Sequence, residues 1–371
     1  MTDVMDKLVS LCKRKGFVFQ SSEIYGGLNG CWDYGPLGVE LLRNIKEAWW
    51  RAMTWREDVE GMDASILMHP RVWEASGHVE NFTDPLIDCR NCKARFREDL
   101  LTEAQREAGQ CPVCGQRQVL TEARPFNMMF KTFVGPLEDD SARVYLRPET
   151  AQGIFVNFLN VQTAMRQKLP FGIAQIGKAF RNEINTKNFL FRTREFEQME
   201  MEFFCKPGED EHWFEYWKAE RLAWYVKHGI RSERLRLRTH EASELAHYAK
   251  ACVDVEYEFP FGWSELEGIA NRTDFDLKQH QEYSGKKMQY FDPEKNESYI
   301  PYVIETSIGV DRMFLQVISA AYNEEELKKE DGTTDTRVVL RLPSFLAPVK
   351  LAVMPLVKKG GLPEIAEKIV H

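Results

Sequence analysis

Long apolar runs are absent from this sequence. No stretch of its 371 residues approaches the roughly 18 consecutive apolar residues that a membrane-spanning helix requires. Residues 1–16 mix Asp, Lys and Arg with Val4, Leu8 and Leu11 at helical spacing, and they have neither the apolar centre nor the cleavage site of a signal peptide. We therefore expect a cytoplasmic protein with no membrane partner.

An excess of basic charge is also absent. The 49 Lys and Arg residues are outnumbered by 57 Asp and Glu residues, which gives a formal net charge of −8. This balance disfavours broad non-specific binding of nucleic acid, although a local basic patch can still bind RNA. The length exceeds that of a typical single domain, so we expect one large core with inserted or appended modules.

The eight cysteines fall into two groups. Cys12, Cys31, Cys205 and Cys252 are scattered and are interpreted as buried reduced thiols. The other four form two C-x-x-C pairs separated by eighteen residues, a spacing typical of a tetrahedral zinc ribbon: Cys89, Cys92, Cys111 and Cys114. Four protein ligands leave no open position, so such a site is structural; unpaired thiols or a redox pair are the alternatives.

The cysteine pairs lie in a polar, basic stretch that interrupts the surrounding pattern. We interpret residues 88–118 as an insertion within a domain spanning residues 1–346. Arg90, Lys93, Arg95 and Arg97 make the insertion basic, which suits contact with nucleic acid and is equally ordinary for a solvated face.

Three segments predict the elements of the main domain. Pro36 opens a helix whose residues Leu41, Ile45 and Trp49 share one face. Two extended segments between Phe171 and Phe203 flank a polar loop and predict a long antiparallel hairpin. A strand from Tyr302 runs through Gly309 into a buried helix that starts at Val310. An α+β fold on an antiparallel sheet flanked by helices is therefore expected.

The hairpin carries side chains suited to a nucleotide. Because strand side chains alternate, Arg181 and Glu183 share one face of the outgoing segment, and one face of the return carries Arg192, Arg194, Phe196, Gln198 and Glu200. A guanidinium suits a phosphate, an aromatic ring suits a base, and carboxylates suit an amine or magnesium. A cross-strand ladder of ion pairs is an equally good interpretation of this hairpin alone.

A second segment with side chains suited to ligand binding runs from Glu305 to Arg312. It places a carboxylate and a hydroxyl at a strand end and an arginine in the first turn of a buried helix, where it can reach a phosphate beside Gly309. A salt bridge between Asp311 and Arg312 is the alternative.

These segments resemble a known family. Phe180-Arg181-Asn182-Glu183 followed by Arg192-Thr193-Arg194-Glu195-Phe196 looks like motif 2 of the class II aminoacyl-tRNA synthetases, and Gly309-Val310-Asp311-Arg312 looks like motif 3. The helix from Pro36 to Met53 is similar to motif 1 of their dimer interface. Further strings match the homodimeric bacterial-type glycyl-tRNA synthetases, among them Ser76-Gly77-His78, Arg147-Pro148-Glu149-Thr150, Trp263-Ser264-Glu265-Leu266-Glu267-Gly268 and Glu305-Thr306-Ser307.

The resemblance implies an enzyme that activates glycine with ATP and transfers it to the 3′ end of tRNA(Gly). It implies ATP as substrate, Mg²⁺, structural Zn²⁺ and a homodimer through the motif 1 region. The implied catalytic residues are Arg181, Glu183 and Arg312. The alternative is a catalytically silent synthetase-like accessory subunit that binds nucleic acid, although a non-enzyme has little reason to retain this nucleotide set.

The resemblance also assigns the two substrate sites residue by residue. The implied ATP site is Arg181, Asn182, Glu183, Phe191, Arg192, Thr193, Arg194, Glu195, Phe196, Glu265, Leu266, Gly309, Val310, Asp311 and Arg312. The implied glycine site is Arg97, Glu149, Phe196, Glu197, Gln198, Met199, Glu200, Glu305, Thr306, Ser307, Ile308 and Gly309. Arg181 would contact the α-phosphate and Arg312 the γ-phosphate, with Phe196 stacked on adenine.

The last segment, residues 347–371, has a different pattern. Val349 to Leu356 suggests a strand and Pro363 to Val370 a helix, the opening βα unit of an α/β domain. The resemblance implies that this is the incomplete start of an anticodon-binding domain.

Overall fold

The computed structural model describes residues 2–328 and 332–370. Within these ranges the α-helices are α1 (Thr2–Arg14), α2 (Pro36–Thr54), α3 (Pro70–Ala75), α4 (His78–Asn81), α5 (Glu103–Glu107), α6 (Ala151–Met165), α7 (Asp210–Lys227), α8 (Phe275–Ser284), α9 (Val310–Ala321) and α10 (Leu362–Val370).

The strands within the same ranges are β1 (Val18–Gln20), β2 (Trp32–Tyr34), β3 (Val59–Met62), β4 (Thr83–Asp88), β5 (Arg95–Arg97), β6 (Arg124–Asn127), β7 (Lys131–Phe133), β8 (Arg143–Tyr145), β9 (Phe171–Phe180), β10 (Glu195–Cys205), β11 (Leu235–Thr239), β12 (Ala251–Phe259), β13 (Gly262–Thr273), β14 (Tyr290–Asp292), β15 (Glu297–Tyr299), β16 (Tyr302–Gly309), β17 (Tyr322–Lys328) and β18 (Thr334–Leu340).

A seven-stranded sheet organises the chain, in the order β11-β12-β13-β16-β10-β9-β3. Neighbouring strands are antiparallel, except that the edge strand β3 runs parallel to β9. Strands β9 and β10 form the long hairpin expected from the sequence, with Gln175 opposite Glu200. The predicted α+β fold on a largely antiparallel sheet is therefore confirmed.

The two faces of the sheet have different environments because side chains alternate along each strand. On β10, Met199, Met201 and Phe203 join the largest hydrophobic cluster, which includes residues of α1, α2, α7 and α9. Phe204 faces the other way and packs with residues of α6 and α8 in a second cluster. Gln198, Glu200 and Glu202 point to the same face as Phe204. Along β10 this second face is therefore apolar at Phe204 and polar at the three alternate residues before it.

Helix α2 packs closely against the first hairpin. Pro36 occupies its first turn, and Leu41, Ile45, Trp49 and Met53 are buried along one side. The helix carries a glycine at position 38, and a Cβ atom there would overlap the backbone carbonyl of Phe17. The close approach of helix and strand therefore requires glycine, although alanine is the better helix former.

The cysteine-rich module has a small core of its own. Strand β4 pairs with β5 and β6, so the sheet of the module extends beyond residues 88–118 on both sides. Its core consists of Ile87, Cys89, Phe96, Leu101 and Cys111. So few apolar side chains supply little stabilisation of their own, which makes a metal cross-link a natural part of such a fold.

The strand predicted between Val349 and Leu356 is wrong, whereas helix α10 is present. The apolar residues of that segment, Leu351, Met354 and Leu356, are at least 80% exposed. The segment thus has neither the paired backbone nor the buried face that stabilises a strand. No helix in the described ranges has the length and apolar character needed to cross a membrane.

We expect Gly38→Ala to lower the free energy of unfolding by roughly 2 kcal/mol or more, because the added methyl group forces α2 away from Phe17. Chemical denaturation measures this change. Glu40→Ala on the same helix, at an exposed position paired only at the surface with Arg43, should change the value by about 0.5 kcal/mol at most. Equal stability of the two variants would contradict the close helix–strand packing.

Candidate functional site

A cavity of about 380 Å³ opens on the polar half of the second sheet face. Strands β10, β13 and β16 supply its floor, and residues 181–193 and 240–252 border it. The volume is in the range of small-molecule sites, and polar and charged side chains converge in it.

Most of the nucleotide residues expected from the sequence line this cavity. They are Arg181, Glu183, Phe191, Arg192, Thr193, Phe196, Glu265, Gly309, Asp311 and Arg312. Of the expected amino-acid residues, those that line the cavity are Glu149, Phe196, Gln198, Glu200, Glu305, Ser307 and Gly309. The hairpin and the strand–helix junction at Gly309 therefore meet in one place.

Some expected residues lie outside the cavity because their side chains point to the opposite face of the sheet. Leu266, Met199, Ile308 and Val310 belong to the hydrophobic cluster on the opposite sheet face, and Thr306, which alternates with Glu305 and Ser307, is fully buried on that side.

The remaining side chains outside the cavity have partners elsewhere. Glu195 pairs with Lys178 at 2.8 Å and Glu197 with Lys46 at 2.9 Å. Arg194 donates to the carbonyl oxygens of Glu183 and Asn29. Arg97 pairs with Asp84 at 3.0 Å. Asn182 is held through its backbone amide, which donates to Met128 O. Strand β9 ends at Phe180 and β10 begins at Glu195. Arg181 and Arg194 therefore lie outside the strands, where the alternation of side chains used to assign their faces does not apply.

One end of the cavity combines guanidinium groups with aromatic rings. The guanidinium carbon of Arg181 lies 5.4 Å from the ring centroid of Phe196, and Arg181 Nε donates to Pro148 O. The guanidinium of Arg312 lies over Phe191 at 4.4 Å and pairs with Glu265 at 3.0 Å. Chiefly because of Arg312, the pKa of Glu265 is lowered, so its carboxylate is ionised.

Asp311 does not form the predicted alternative salt bridge with Arg312. Its carboxylate accepts hydrogen bonds from the Tyr34 hydroxyl at 2.5 Å and from the Glu197 amide at 3.1 Å. These bonds fix the start of α9 against β2 and β10. Arg312, in the first turn of α9, is therefore free to face Glu265 and the cavity.

The opposite end of the cavity is acidic. Burial, together with the charges of Glu305 and Glu149, raises the pKa of Glu200 to about 8. Burial also raises the pKa of Glu305, although Arg272 opposes it. Burial also acts to raise the pKa of Glu149, but its interactions, chiefly with His78, outweigh burial, and the pKa of Glu149 is lowered. The three carboxylates therefore differ in their readiness to ionise.

A buried network holds these carboxylates in place. Arg272 donates to both oxygens of Asp276 and to Glu305. Gln152 donates to Asp276 at 2.9 Å and to Glu149 at 3.0 Å. His78 Nε2 lies 3.2 Å from Glu149, and Thr150 donates to Glu200. Of these supporting groups, the sequence resemblance did not include Arg272 or Asp276, because a network between distant segments leaves no local pattern.

Sequence reasoning missed the wall formed by residues 240–254. His240, Tyr248, Cys252 and Asp254 line the cavity there. Alternation would have placed Cys252 and Asp254 on one face of a strand. Nothing in the loop that carries Tyr248 indicated that it folds over the sheet.

The four paired cysteines come together in the module formed by β4, β5 and β6. Cys89 Sγ lies 3.8 Å from Cys114 Sγ, and Cys92 Sγ lies 3.7 Å from Cys111 Sγ. Tetrahedral zinc with Zn–S bonds of about 2.3 Å requires sulfur–sulfur separations of about 3.8 Å. The donor set thus fits zinc. A hydrogen bond from Asn91 lowers the pKa of Cys114 to about 6, whereas the pKa of Cys92 in the same cluster is raised to about 11, so the four thiols do not ionise alike.

The cavity can thus receive a ligand with two unlike halves. Guanidinium groups and an aromatic ring suit a polyphosphate and a planar base. Carboxylates at the other end suit an ammonium group. A molecule with an ammonium and a nucleotide placed side by side meets complementary charge at both ends.

Comparison with known proteins places this geometry among related chains. The sequence profile of the tRNA synthetase class II core domain (G, H, P, S and T) matches residues 130–321. A glycine–tRNA ligase of Treponema denticola is 60% identical over 367 residues, which cover 98% of this chain and 81% of that protein. The glycine–tRNA ligase of Geobacillus kaustophilus is 54% identical over 396 residues, with 100% and 85% covered.

A solved structure agrees with the fold. Giardia lamblia prolyl-tRNA synthetase in complex with prolyl-adenylate superimposes with a TM-score of 0.66 over 100% of this chain and 60% of its own. Sequence identity is 16%, so this similarity concerns the fold alone.

We expect Glu200→Gln to raise the free energy of unfolding of the ligand-free protein, relative to the unmodified chain, by an amount that grows as the pH rises. The pKa of Glu200 is about 8 when folded, above the value near 4.5 of an unfolded chain, so folding loses stability as pH rises between the two values. Gln has no proton to lose. The stability of the variant relative to the unmodified protein should therefore increase by an amount on the order of 3 kcal/mol between pH 5 and 8. Denaturation at several pH values measures it, and a gain independent of pH would contradict the assignment.

Proposed function

Because this chain belongs to the class II aminoacyl-tRNA synthetases and, within them, to the glycine–tRNA ligases, we propose that its cavity binds ATP and glycine side by side. The enzyme activates glycine with ATP to glycyl-adenylate and pyrophosphate and then transfers glycine to the 3′ end of tRNA(Gly). The observation that carries the site assignment is the joining of a cationic, aromatic end and an acidic end in one cavity. No observation favours a silent accessory subunit.

The nucleotide occupies the cationic end in this proposal. Arg181 binds the α-phosphate and Arg312 the γ-phosphate, while adenine stacks on Phe196. Phosphates would compete with Glu265 for Arg312, since the two side chains are paired at 3.0 Å in the ligand-free structure. Carboxylate oxygens suit Mg²⁺, and Glu265 faces the cavity beside Arg312, so we assign the nucleotide's magnesium to Glu265.

Glycine occupies the acidic end. Its ammonium group lies among Glu149, Glu200 and Glu305, with Ser307 nearby. Binding of the ammonium ionises Glu200, because a cation at this place favours the carboxylate over the acid. No natural amino acid is smaller than glycine, so a closely fitting site rejects the others by size and needs no editing site.

Adenylate formation requires no protein nucleophile. The carboxylate of glycine attacks the α-phosphorus, a bond forms between them, and pyrophosphate leaves. Arg181 and Arg312 neutralise charge on the phosphates, and the acidic end orients the attacking carboxylate by fixing the ammonium. Positioning and charge neutralisation supply the rate enhancement in such phosphorus chemistry. Glu183 supports the site from its lining, where Arg192 lies 3.7 Å away.

The other expected residues have a supporting place in this proposal. Glu197 holds the hairpin to α2 through Lys46, and the backbone amide of Asn182 binds Met128 O. Arg97 pairs with Asp84 between β5 and β4 of the cysteine-rich module. Contact of Arg97 with a substrate stays a prediction.

Partners and location complete the proposal. We infer a homodimer through the α2 region, whose neighbouring loop exposes the apolar side chains of Ile24 and Tyr25 by 88% and 87%. A cytoplasmic location stays a prediction. Assignment of residues 347–371 to an anticodon-binding domain likewise stays a prediction.

The purified chain should catalyse glycine-dependent exchange of pyrophosphate into ATP. Arg181→Ala should lower the exchange rate by about 100-fold or more, because the developing phosphate charge loses its guanidinium. Arg231→Ala, which removes an exposed arginine near Glu233 that lies outside both α2 and the cavity lining, is the matched control and should retain activity. Equal exchange with alanine or serine in the unmodified chain, or full activity in Arg181→Ala, would refute the assignment.

We propose one structural zinc per chain at Cys89, Cys92, Cys111 and Cys114. Elemental analysis of protein prepared under reducing conditions should give about one zinc per chain. Cys92→Ser should lose the metal, whereas Cys31→Ser, outside the cluster, should keep it. Protein that contains no metal, or that has a disulfide within the cluster, would count against the site.

A further inference from the structure

Glu202 is a fully buried carboxyl group without a hydrogen-bond partner. It is 0% exposed, and neither of its oxygens has a donor among the described residues. It lies two positions from Glu200 on β10 and directly opposite Glu305 on β16. An oxygen from each of these three carboxyl groups lies within 4.8 Å of the other two. Glu202 does not line the cavity, so it sits behind the two carboxylates that do.

The nearby donors are already committed to other acceptors. Arg272 donates to both oxygens of Asp276 and, through Nη1, to Glu305. Thr150 donates to Glu200. An ionised Glu202 would therefore be a buried carboxylate without a hydrogen bond, beside two other carboxyl groups and only partly offset by the charge of Arg272.

A proton removes this charge and converts Glu202 into a donor. Its direct cross-strand neighbour is Glu305, and side chains opposite each other in antiparallel strands lie within reach of one another. Arg272 binds only one oxygen of Glu305, which leaves the other available as an acceptor.

We propose that Glu202 is held as a neutral carboxylic acid and is a positioning residue, whose O–H group donates to Glu305 and fixes that carboxylate for the ammonium of glycine. This inference rests on the proposed glycine site and deepens it. It explains why a carboxyl group lies behind the site without touching the substrate.

The charges around Glu202 support the neutral form. Burial, and then the charge of Glu305, raises the pKa of Glu202 well above its usual range. The charged groups that face it are Glu200 on its own strand, Glu305 on β16, Arg272 at the end of β13 and Asp276 on α8. Three of these four are acidic, so their combined charge disfavours a further carboxylate at Glu202.

A shared metal ion is the competing explanation for three close carboxylates. It requires Glu202 to be ionised, whereas the proposal requires it to be protonated. The two states differ in the infrared spectrum, because a protonated carboxyl group has a carbonyl band that a carboxylate lacks.

The first test is spectroscopic and needs no enzymatic activity. Infrared spectra of the ligand-free protein at about pH 9, where most of Glu200 is ionised because its pKa is about 8, should show a carboxylic-acid band that Glu202→Gln removes. Glu267→Gln is the matched control, because Glu267 is equally buried but binds Arg221 at 2.7 Å and Tyr225 at 2.6 Å. It should leave the band unchanged.

The second test separates positioning from simple packing. Glu202→Met keeps the length of the side chain but removes the donor, so the Michaelis constant for glycine should rise about tenfold while that for ATP stays the same. Glu202→Gln restores a donor and should bring the glycine constant back to within about threefold of the unmodified enzyme.

The outcomes are decisive in both directions. A band lost only in Glu202→Gln, together with rescue by Gln after loss in Met, supports the proposal. Absence of the band, an unchanged glycine constant in Glu202→Met, or Mn²⁺ binding that Glu202→Gln abolishes would overturn it. If the chain fails to exchange pyrophosphate with glycine, the proposed function fails, and the spectra still decide whether Glu202 is protonated.

Discussion

The buried pairing of Arg272 with Asp276 and Glu305 is the interaction on which the acidic end of the cavity depends. Arg272 is 1% exposed and contacts the aromatic rings of Phe155 and Tyr248, so the pair has lost nearly all of its hydration. Such a pair is retained only where hydrogen bonds satisfy the remaining polar atoms. Gln152 extends the network from Asp276 to Glu149, which joins helices α6 and α8 to the sheet. The acidic residues are therefore positioned by one network and not by separate contacts.

Alternation along β10 and β16 lets one sheet serve two purposes. Met199 and Met201 pack into the main core on one face, while Glu200 and Glu202 occupy the other. The same separation explains why neighbouring residues in a sequence motif have different roles. Ser307 lines the cavity, and Ile308 next to it is core. A motif identified as a string of letters includes both kinds of residue, and only the strand geometry separates them.

Sequence reasoning succeeded where a local pattern determines the structure. The hairpin around Arg181, the strand that leads from Tyr302 into α9, and the clustering of four cysteines all follow from spacing within one segment. It failed for Val349–Leu356, where apolar composition resembles a strand but no partner strand pairs with it in the described residues. It also missed Arg272 and Tyr248, because their roles arise from contacts between segments that are distant in sequence.

The cysteine-rich module is joined to the nucleotide end of the cavity at both of its boundaries. Phe82, which precedes β4, lies 5.4 Å from the guanidinium of Arg181. Met128, which follows β6, donates its amide to Phe82 O and accepts from the amide of Asn182. The ends of the module are thus hydrogen-bonded to each other and to the segment that carries Arg181. Because the core of the module is small, the proposed zinc would stabilise this support. The module therefore supports the segment that carries Arg181, the arginine assigned to the α-phosphate, without lining the cavity through its cysteines.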